Sequence, residues 1–370
     1  MIKVLIVEDS RVVSEYLQYI LNSDTEINII GNVSNGKSAI EFLRTNKPDV
    51  ITMDIDMPIM NGLEATRKIM STTPIPIIIV TASRNVNEVK TSMEALAAGA
   101  LSVLEKPQGI GHPEEERQAK RLVKMVKLMS EIKVVTRKFK MINETDTKIH
   151  TKISEHLIND FNKKKIVVLG SSSGGPLALK EVFSKITNEF PYPILVVQHI
   201  AEGFLDGLVS WLRNTVSIPI QSATHNEYLK AGNIYFAPDK YQMGVNKEGK
   251  ILLVKCVSNN GLCPSVSYLF KSVAKEFGKY SIGIILTGMG SDGTSELKMM
   301  KNAGSITIAQ DKESSIVHGM PGEAIKQNAV NYIMNPREIA DILKNIEEYF
   351  KDLNENNGKN ENKEELEYEK

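Results

Sequence analysis

Twice along this chain, short β-branched runs alternate with amphipathic stretches long enough to be helices. That pattern constrains the fold most, because strands separated by helical lengths of chain are set up to pair in parallel, whereas a hairpin needs only a few residues. In the first segment the runs are Lys3–Val7, Ile27–Val33, Val50–Met53, Ile77–Val80 and Leu101–Leu104, followed by the helical pattern EEERQAKRLVKMVKLMSEI. In the second they are Ile166–Leu169, Ile194–Gln198, Ile234–Ala237, Ile251–Val254, Ile282–Leu286 and Ser305–Ala309. Between them, from about Thr136 to Lys165, the chain is polar without sustained periodicity and reads as a linker. From Lys351 onward it is mostly Asn, Glu and Lys, the composition of a disordered tail. The spacing therefore predicts an α/β domain over 1–125, a helical extension and linker over 126–164, a second α/β domain over 165–350, and a tail over 351–370.

Charge narrows the function. Lysine and arginine number 45 and so do aspartate and glutamate, so no net field favours a nucleic acid or a membrane surface. There is no helix-turn-helix pattern either. No apolar run approaches the roughly twenty residues of a membrane span, and Met1–Val7 meets Glu8 and Asp9 too early for a signal peptide. Cys256 and Cys263 have neither C-x-x-C nor metal-ligand spacing and are expected to be reduced thiols. The expected location is the cytoplasm.

Three features of the first segment fall at strand ends: Glu8-Asp9 after the first strand, Asp54 after the third, Lys106-Pro107 after the fifth. In an open parallel sheet those ends converge on one crevice. Three carboxylates there repel one another and call for a cation, and hard oxygen ligands with room for water suit Mg²⁺. Lys106 could neutralise a phosphoryl group, and Thr81 could hydrogen-bond it. The stretches IVEDSRVV, TMDIDMPIMNGLEA, IIIVTAS and EKP, in this order, resemble a response-regulator receiver domain, which has a flavodoxin-like fold. The resemblance implies that Asp54 accepts a phosphoryl group from a histidine kinase. It also implies that Glu8, Asp9, Asp54 and the backbone of Asp56 hold Mg²⁺, and that Thr81 and Lys106 sense the phosphorylated state. Where the family has an aromatic switch residue, this chain has Val103.

The second segment opens with KKKIVVLGSSSGGPLALKEVF, a strand, a small-residue turn and a helix. A Walker loop would need a lysine after the glycines, and G-x-G-x-x-G fails because residue 172 is serine. G-x-S-x-G fits as Gly170-Ser171-Ser172-Ser173-Gly174, which makes Ser172 the candidate nucleophile and the Ser173 N–H a natural oxyanion donor. A serine needs a base and the base needs an orienting group. His112, His150 and His156 lie outside the segment and His225 lies in a polar connection. His199 ends the run YPILVVQ, with His318 in VHGMPGEA as a rival. Asp292, in ILTGMGSDG, follows a strand, as does its rival Asp311. The strand-end rule brings Ser172, His199 and Asp292 to one crevice.

GSSSGG, VQHIAEGF, AGNIYFAPD, PSVSYLF, ILTGMGSDG and VHGMPGEAI resemble, in order, the catalytic domain of chemotaxis protein-glutamate methylesterases, the CheB family. The resemblance implies a doubly wound, mainly parallel α/β domain that hydrolyses glutamate γ-methyl esters on chemoreceptors without a cofactor and also deamidates receptor glutamines. It selects Ser172 as nucleophile, His199 as general base and acid, and Asp292 as the group orienting the imidazole. Met289 would complete the oxyanion hole beside Ser173. The implied partners are methyl-accepting chemotaxis receptors and a chemotaxis histidine kinase, with no nucleic acid and no membrane insertion. The chain departs from the family pattern at Ala201-Glu202, Gln242 and Ser267.

Overall fold

The computed structural model describes residues 1–81, 86–109, 111, 113, 115–132, 165–257 and 262–351. The chain divides into two compact units. The expected linker beyond Ile132 and the expected tail beyond Lys351 lie outside the described residues.

The first unit alternates β1 (Ile2–Val7), α1 (Arg11–Asn22), β2 (Ile27–Val33), α2 (Gly36–Phe42), β3 (Val50–Met53), α3 (Gly62–Thr72), β4 (Ile77–Thr81), α4 (Val86–Ala97), β5 (Ser102–Glu105) and α5 (Glu115–Ser130). Its strands lie in the order β2-β1-β3-β4-β5 with every neighbouring pair parallel, which is the flavodoxin-like arrangement. Val4–Val7, Val50–Met53 and Ile77–Thr81 are buried throughout, as expected of strands covered on both faces. Helix starts are fixed by side chains. Ser10, Asn35 and Asn61 accept the N–H of Val13, Ser38 and Glu64 at the heads of α1, α2 and α3, each cap contributing about 1 kcal/mol.

From residue 166 onward the chain forms β6 (Ile166–Ser171), α6 (Gly175–Val182), β7 (Ile194–Gln198), α7 (Leu205–Arg213), β8 (Ile220–Ser222), β9 (Ile234–Phe236), β10 (Tyr241–Val245), β11 (Ile251–Lys255), α8 (Val266–Glu276), β12 (Ser281–Ile285), α9 (Thr294–Asn302), β13 (Ile306–Gln310), α10 (Met320–Lys326), β14 (Tyr332–Met334) and a last helix, α11, over 336–351. Seven strands form one parallel sheet in the order β14-β13-β12-β6-β7-β9-β8. The chain enters at β6, builds one side through β7, then crosses back to β12, so the winding direction reverses at β6. Loops after β12, β6 and β7 therefore open one crevice at the carboxyl edge.

Two expectations are corrected here. Ile251–Val254 belongs to an antiparallel hairpin with β10 and not to the parallel sheet. Its turn explains why: Asn246 Oδ1 accepts the N–H of Glu248 at 3.1 Å and of Lys250 at 2.9 Å, and Gly249 takes φ +76°, so the chain reverses within a few residues. Cys256 and Cys263 are joined in a disulfide rather than being free thiols. The fold brings their segments together: Cys256 N–H donates to Lys240 at 2.9 Å, and Gln242 bridges the Leu262 carbonyl and the Ser265 N–H at 2.8 Å each.

Candidate active site

At the carboxyl edge of the second sheet, Ser171 of β6 pairs with Gln198 of β7, so Ser172 and His199 are the first residues beyond two adjacent strands. Gly174 takes φ +79° to turn the chain from β6 into α6. Gly288, after β12, lies so near the nucleophile that an added Cβ would sit 2.7 Å from Ser172 Cβ and 2.5 Å from Met320 Sδ. Any side chain there would require Ser172 or Met320 to shift.

His199 Nε2 lies 2.9 Å from Asp292 Oδ2, with both side chains largely buried. Asp292 only accepts, so Nε2 carries the proton and Nδ1 presents its lone pair. Ser172 Oγ makes no hydrogen bond to His199 among the described residues, a contact that commonly tightens only with substrate bound. Neither rival makes a histidine–carboxylate hydrogen bond among the described residues. His318 Nδ1 faces Ser315 Oγ at 3.4 Å, and burial pushes its imidazole below the ordinary value. Asp311 accepts from Ser314 within its own loop.

Asp292 is held from four directions. Oδ1 accepts Ser265 Oγ at 2.9 Å and the Ser267 N–H at 3.1 Å, while Oδ2 accepts the Val266 N–H at 2.7 Å as well as His199. Burial alone would raise its carboxyl, but hydrogen bonds and charge from His199, with support from Ser267 and the Val266 N–H, hold it far below the usual carboxylate range. Two of these donors come from the N-terminus of α8, whose dipole adds to the effect. The support is itself braced, because Gln242 Oε1 accepts the Ser265 N–H and Ser267 Oγ accepts the Gly293 N–H at 2.9 Å. Gln242 and Ser267, two positions at which the chain departs from the family pattern, thus turn inward to the scaffold of Asp292. Among the described residues the N–H groups of Ser173 and Met289 have no hydrogen-bond partner.

In the first unit Glu8, Asp9 and Asp54 each offer an oxygen, and these lie within 4.8 Å of one another. Lys106 Nζ sits 2.8 Å from Asp54 Oδ2 and 2.9 Å from Glu8 Oε2. One cation cannot neutralise all three carboxylates. Burial raises both Asp54 and Glu8 above the ordinary carboxylate range against the pull of Lys106. Lys106 is itself opposed by burial but raised by its bonds to Asp54 and Glu8. A cluster of acidic oxygens with surplus negative charge fits a hard divalent cation. Thr81 is buried at the end of β4, and its carbonyl accepts the Lys106 N–H at 2.9 Å. Val103 is buried in β5, and the Asp56 side chain is exposed. Gly62 presses on the acceptor, since a Cβ there would lie 1.9 Å from the Asp54 carbonyl.

Sequence patterns did not single out Ser171, Gln198 and Ser265, or a supporting role for Ser267. The one available sign was a glutamine closing the otherwise apolar run ILVVQ.

A flavodoxin-like unit with an acidic pocket, followed by an α/β unit with Ser, His and Asp at its switch point, defines a class: a response-regulator receiver coupled to a hydrolase domain. Comparison with known proteins agrees. Residues 4–114 match the response regulator receiver domain family and residues 167–343 match the CheB methylesterase family. A protein-glutamate methylesterase/protein-glutamine glutaminase of Nitrosospira multiformis is 48% identical over 346 residues, covering 94% of this chain and 97% of its own. A protein of Syntrophus aciditrophicus with the same designation is 47% identical over 93% of this chain and 97% of its own. The crystal structure of the Thermotoga maritima CheB methylesterase catalytic domain aligns with 49% of this chain and 97% of its own, at 35% identity and a TM-score of 0.47. The chain belongs to the CheB family of receiver-containing protein-glutamate methylesterases.

Proposed function

We propose that this chain hydrolyses glutamate γ-methyl esters on methyl-accepting chemotaxis receptors, deamidates receptor glutamines at the same site, and is switched by phosphorylation of Asp54. The reading is carried by one observation: His199 and Asp292 form a buried, hydrogen-bonded pair one strand from Ser172, with the imidazole Nδ1 left as base.

Ser172 Oγ attacks the ester carbonyl while His199 Nδ1 takes its proton. The unpartnered N–H groups of Ser173 and Met289 receive the oxyanion. Collapse expels methanol, or ammonia from an amide, which leaves with the proton returned by His199. Water, deprotonated by His199, then hydrolyses the acyl-enzyme and restores Ser172. Asp292 keeps the imidazole in one tautomer and stabilises it when charged. The esterase chemistry calls for no cofactor.

In the receiver, assigned to 1–125, Glu8, Asp9, Asp54 and the backbone of Asp56 would hold Mg²⁺. When bound, the ion offsets the negative charge of the carboxylates and of an incoming phosphoryl group. Asp54 accepts the phosphoryl group from a chemotaxis histidine kinase, and Lys106 and Thr81 bind it. The catalytic domain is assigned to 165–350, after an extension and linker over 126–164 and before a tail over 351–370. No helix among the described residues is long and apolar enough to cross a membrane, and the proposed place of action is the cytoplasm.

Methanol release from a methylated receptor, with a small-molecule phosphodonor present, tests the assignment. Ser172→Ala should lower kcat by about 10⁴-fold or more. Equal release by variant and native chain would sink the role of Ser172.

A further inference from the structure

The middle serine of GSSSGG is the proposed nucleophile, but the first serine has a different environment. Ser171 is fully buried, and its Oγ donates to Gln198 Oε1 at 2.6 Å. That bond decides which way the glutamine amide faces. With Oε1 committed to Ser171, Nε2 points at two main-chain carbonyls, Ser172 at 2.8 Å and His199 at 2.8 Å. Both amide protons are thereby used, and the reverse orientation would set an oxygen against two oxygens. Gln198 is itself buried, 4% exposed. The first turn of α6 presses against it, since a Cβ on Gly175 would lie 2.0 Å from Oε1.

The location matters more than the number of bonds. The β6–β7 ladder ends at the pair Ser171 and Gln198. Beyond it one main-chain bond remains between the two segments, His199 N–H to the Ser171 carbonyl at 2.9 Å, while the Ser172 N–H turns to Thr287 at 3.0 Å, so among the described residues no main-chain bond joins Ser172 itself to the β7 side. The Gln198 side chain reaches past the end of the ladder and joins the carbonyls of Ser172 and His199. An error of about 1 Å between nucleophile and base can cost on the order of a hundredfold in rate.

We infer that Gln198 is a positioning residue for acyl transfer, oriented by Ser171 and fixing the spacing between the Ser172 and His199 main chains. The inference rests on the proposed roles of Ser172 and His199. It concerns registration of the two groups and not contact with substrate, so it acts on kcat and spares KM.

The test uses the full chain, with a small-molecule phosphodonor, on methylated receptor. An aryl phosphonate that labels Ser172 counts competent sites, so that rates are expressed per competent site and misfolded protein drops out. Gln198→Met keeps the length and removes all three bonds. It should lower kcat per site by about 10- to 100-fold with KM within about twofold of native. Ser171→Ala removes only the group that orients the amide and should lower kcat per site by about two- to tenfold, again at constant KM; it also serves if Gln198→Met does not fold. Rates per site within twofold of native for both variants, or for Ser171→Ala alone where Gln198→Met yields no folded protein, would overturn the inference. So would a rise in KM that accounts for the whole loss. A native chain that takes no label and releases no methanol brings down the esterase reading, and the inference with it. A native chain that does both, beside variants that match it, brings down the inference alone.

Discussion

Asp54 directly follows β3 and Asp292 lies in the loop after β12, both at the carboxyl edge of a parallel sheet beside its switch point, yet their surroundings drive them apart. Asp292 collects four hydrogen bonds from His199, Ser265, Val266 and Ser267 and stays charged well below the ordinary carboxylate range. Asp54 receives the Ile55 N–H at 2.8 Å and Lys106 at 2.8 Å, amid other carboxylates, and burial raises it. A carboxylate with every lone pair engaged can orient a neighbour but is a poor nucleophile. One left short of donors keeps an oxygen for chemistry. On the proposed reading, hydrogen-bond supply separates the aspartate that reacts from the one that only holds.

The contrast can be broken most sharply at Asp292. Asp292→Asn sets an amide donor against the α8 N–H groups and removes the acceptor for Nε2–H. Its kcat should fall by about 10³- to 10⁴-fold with KM near native, measured as methanol release; a loss below tenfold would mean that the carboxylate orients nothing.

Acidification separates the two residues next. Asp54 has a raised value, so it protonates first. Phosphoryl uptake from a phosphodonor should decline on acidification while still above the ordinary aspartate value of 3.8, and Asp54→Asn should take up none. Because Asp292 is lowered, the stability its bonds contribute is present above that ordinary value and is lost only as pH falls through its lower folded value. It therefore adds nothing to the acid limb of the esterase profile. Identical acid limbs for phosphoryl uptake and ester hydrolysis would erase the distinction.

Charge crowding in the receiver gives a smaller effect. With raised values, Asp54 and Glu8 disfavour the fold once ionised; that loss sets in as pH rises past the ordinary carboxylate values and is complete above the raised ones. Mg²⁺ at ten times its Kd should therefore stabilise the receiver by about 1.4 kcal/mol in thermal unfolding, and Glu8→Gln should weaken the response. The smallest expected change is at Ser265, whose hydroxyl caps α8 and also donates to Asp292. Ser265→Ala should cost about 1 kcal/mol in stability and lower kcat severalfold. An unchanged kcat would show that three donors suffice to hold Asp292.

Both parallel sheets were legible because their central strands are buried on both faces and read as unbroken apolar runs. The edge strands β8 and β14, three residues each, carry too little pattern to stand out. In β10, YQMGV alternates apolar with polar or small residues over only five positions, too short a pattern to announce the hairpin. Ser172, His199 and Asp292 were legible as chemistry-bearing residues at strand ends. Their supports were not, because Ser265 and Gln198 find their partners 27 residues away, in pairings that only the folded sheet creates. The disulfide joins cysteines only seven apart, at a spacing that matches no familiar cysteine motif.

Gly288 bears on how this site can vary over time. Every single-step replacement of a glycine adds at least a Cβ, and here that atom would collide with both Ser172 and Met320. At Gly288 a side chain could enter only if Ser172 or Met320 moved, so the space behind the nucleophile is tied to the position of the nucleophile itself.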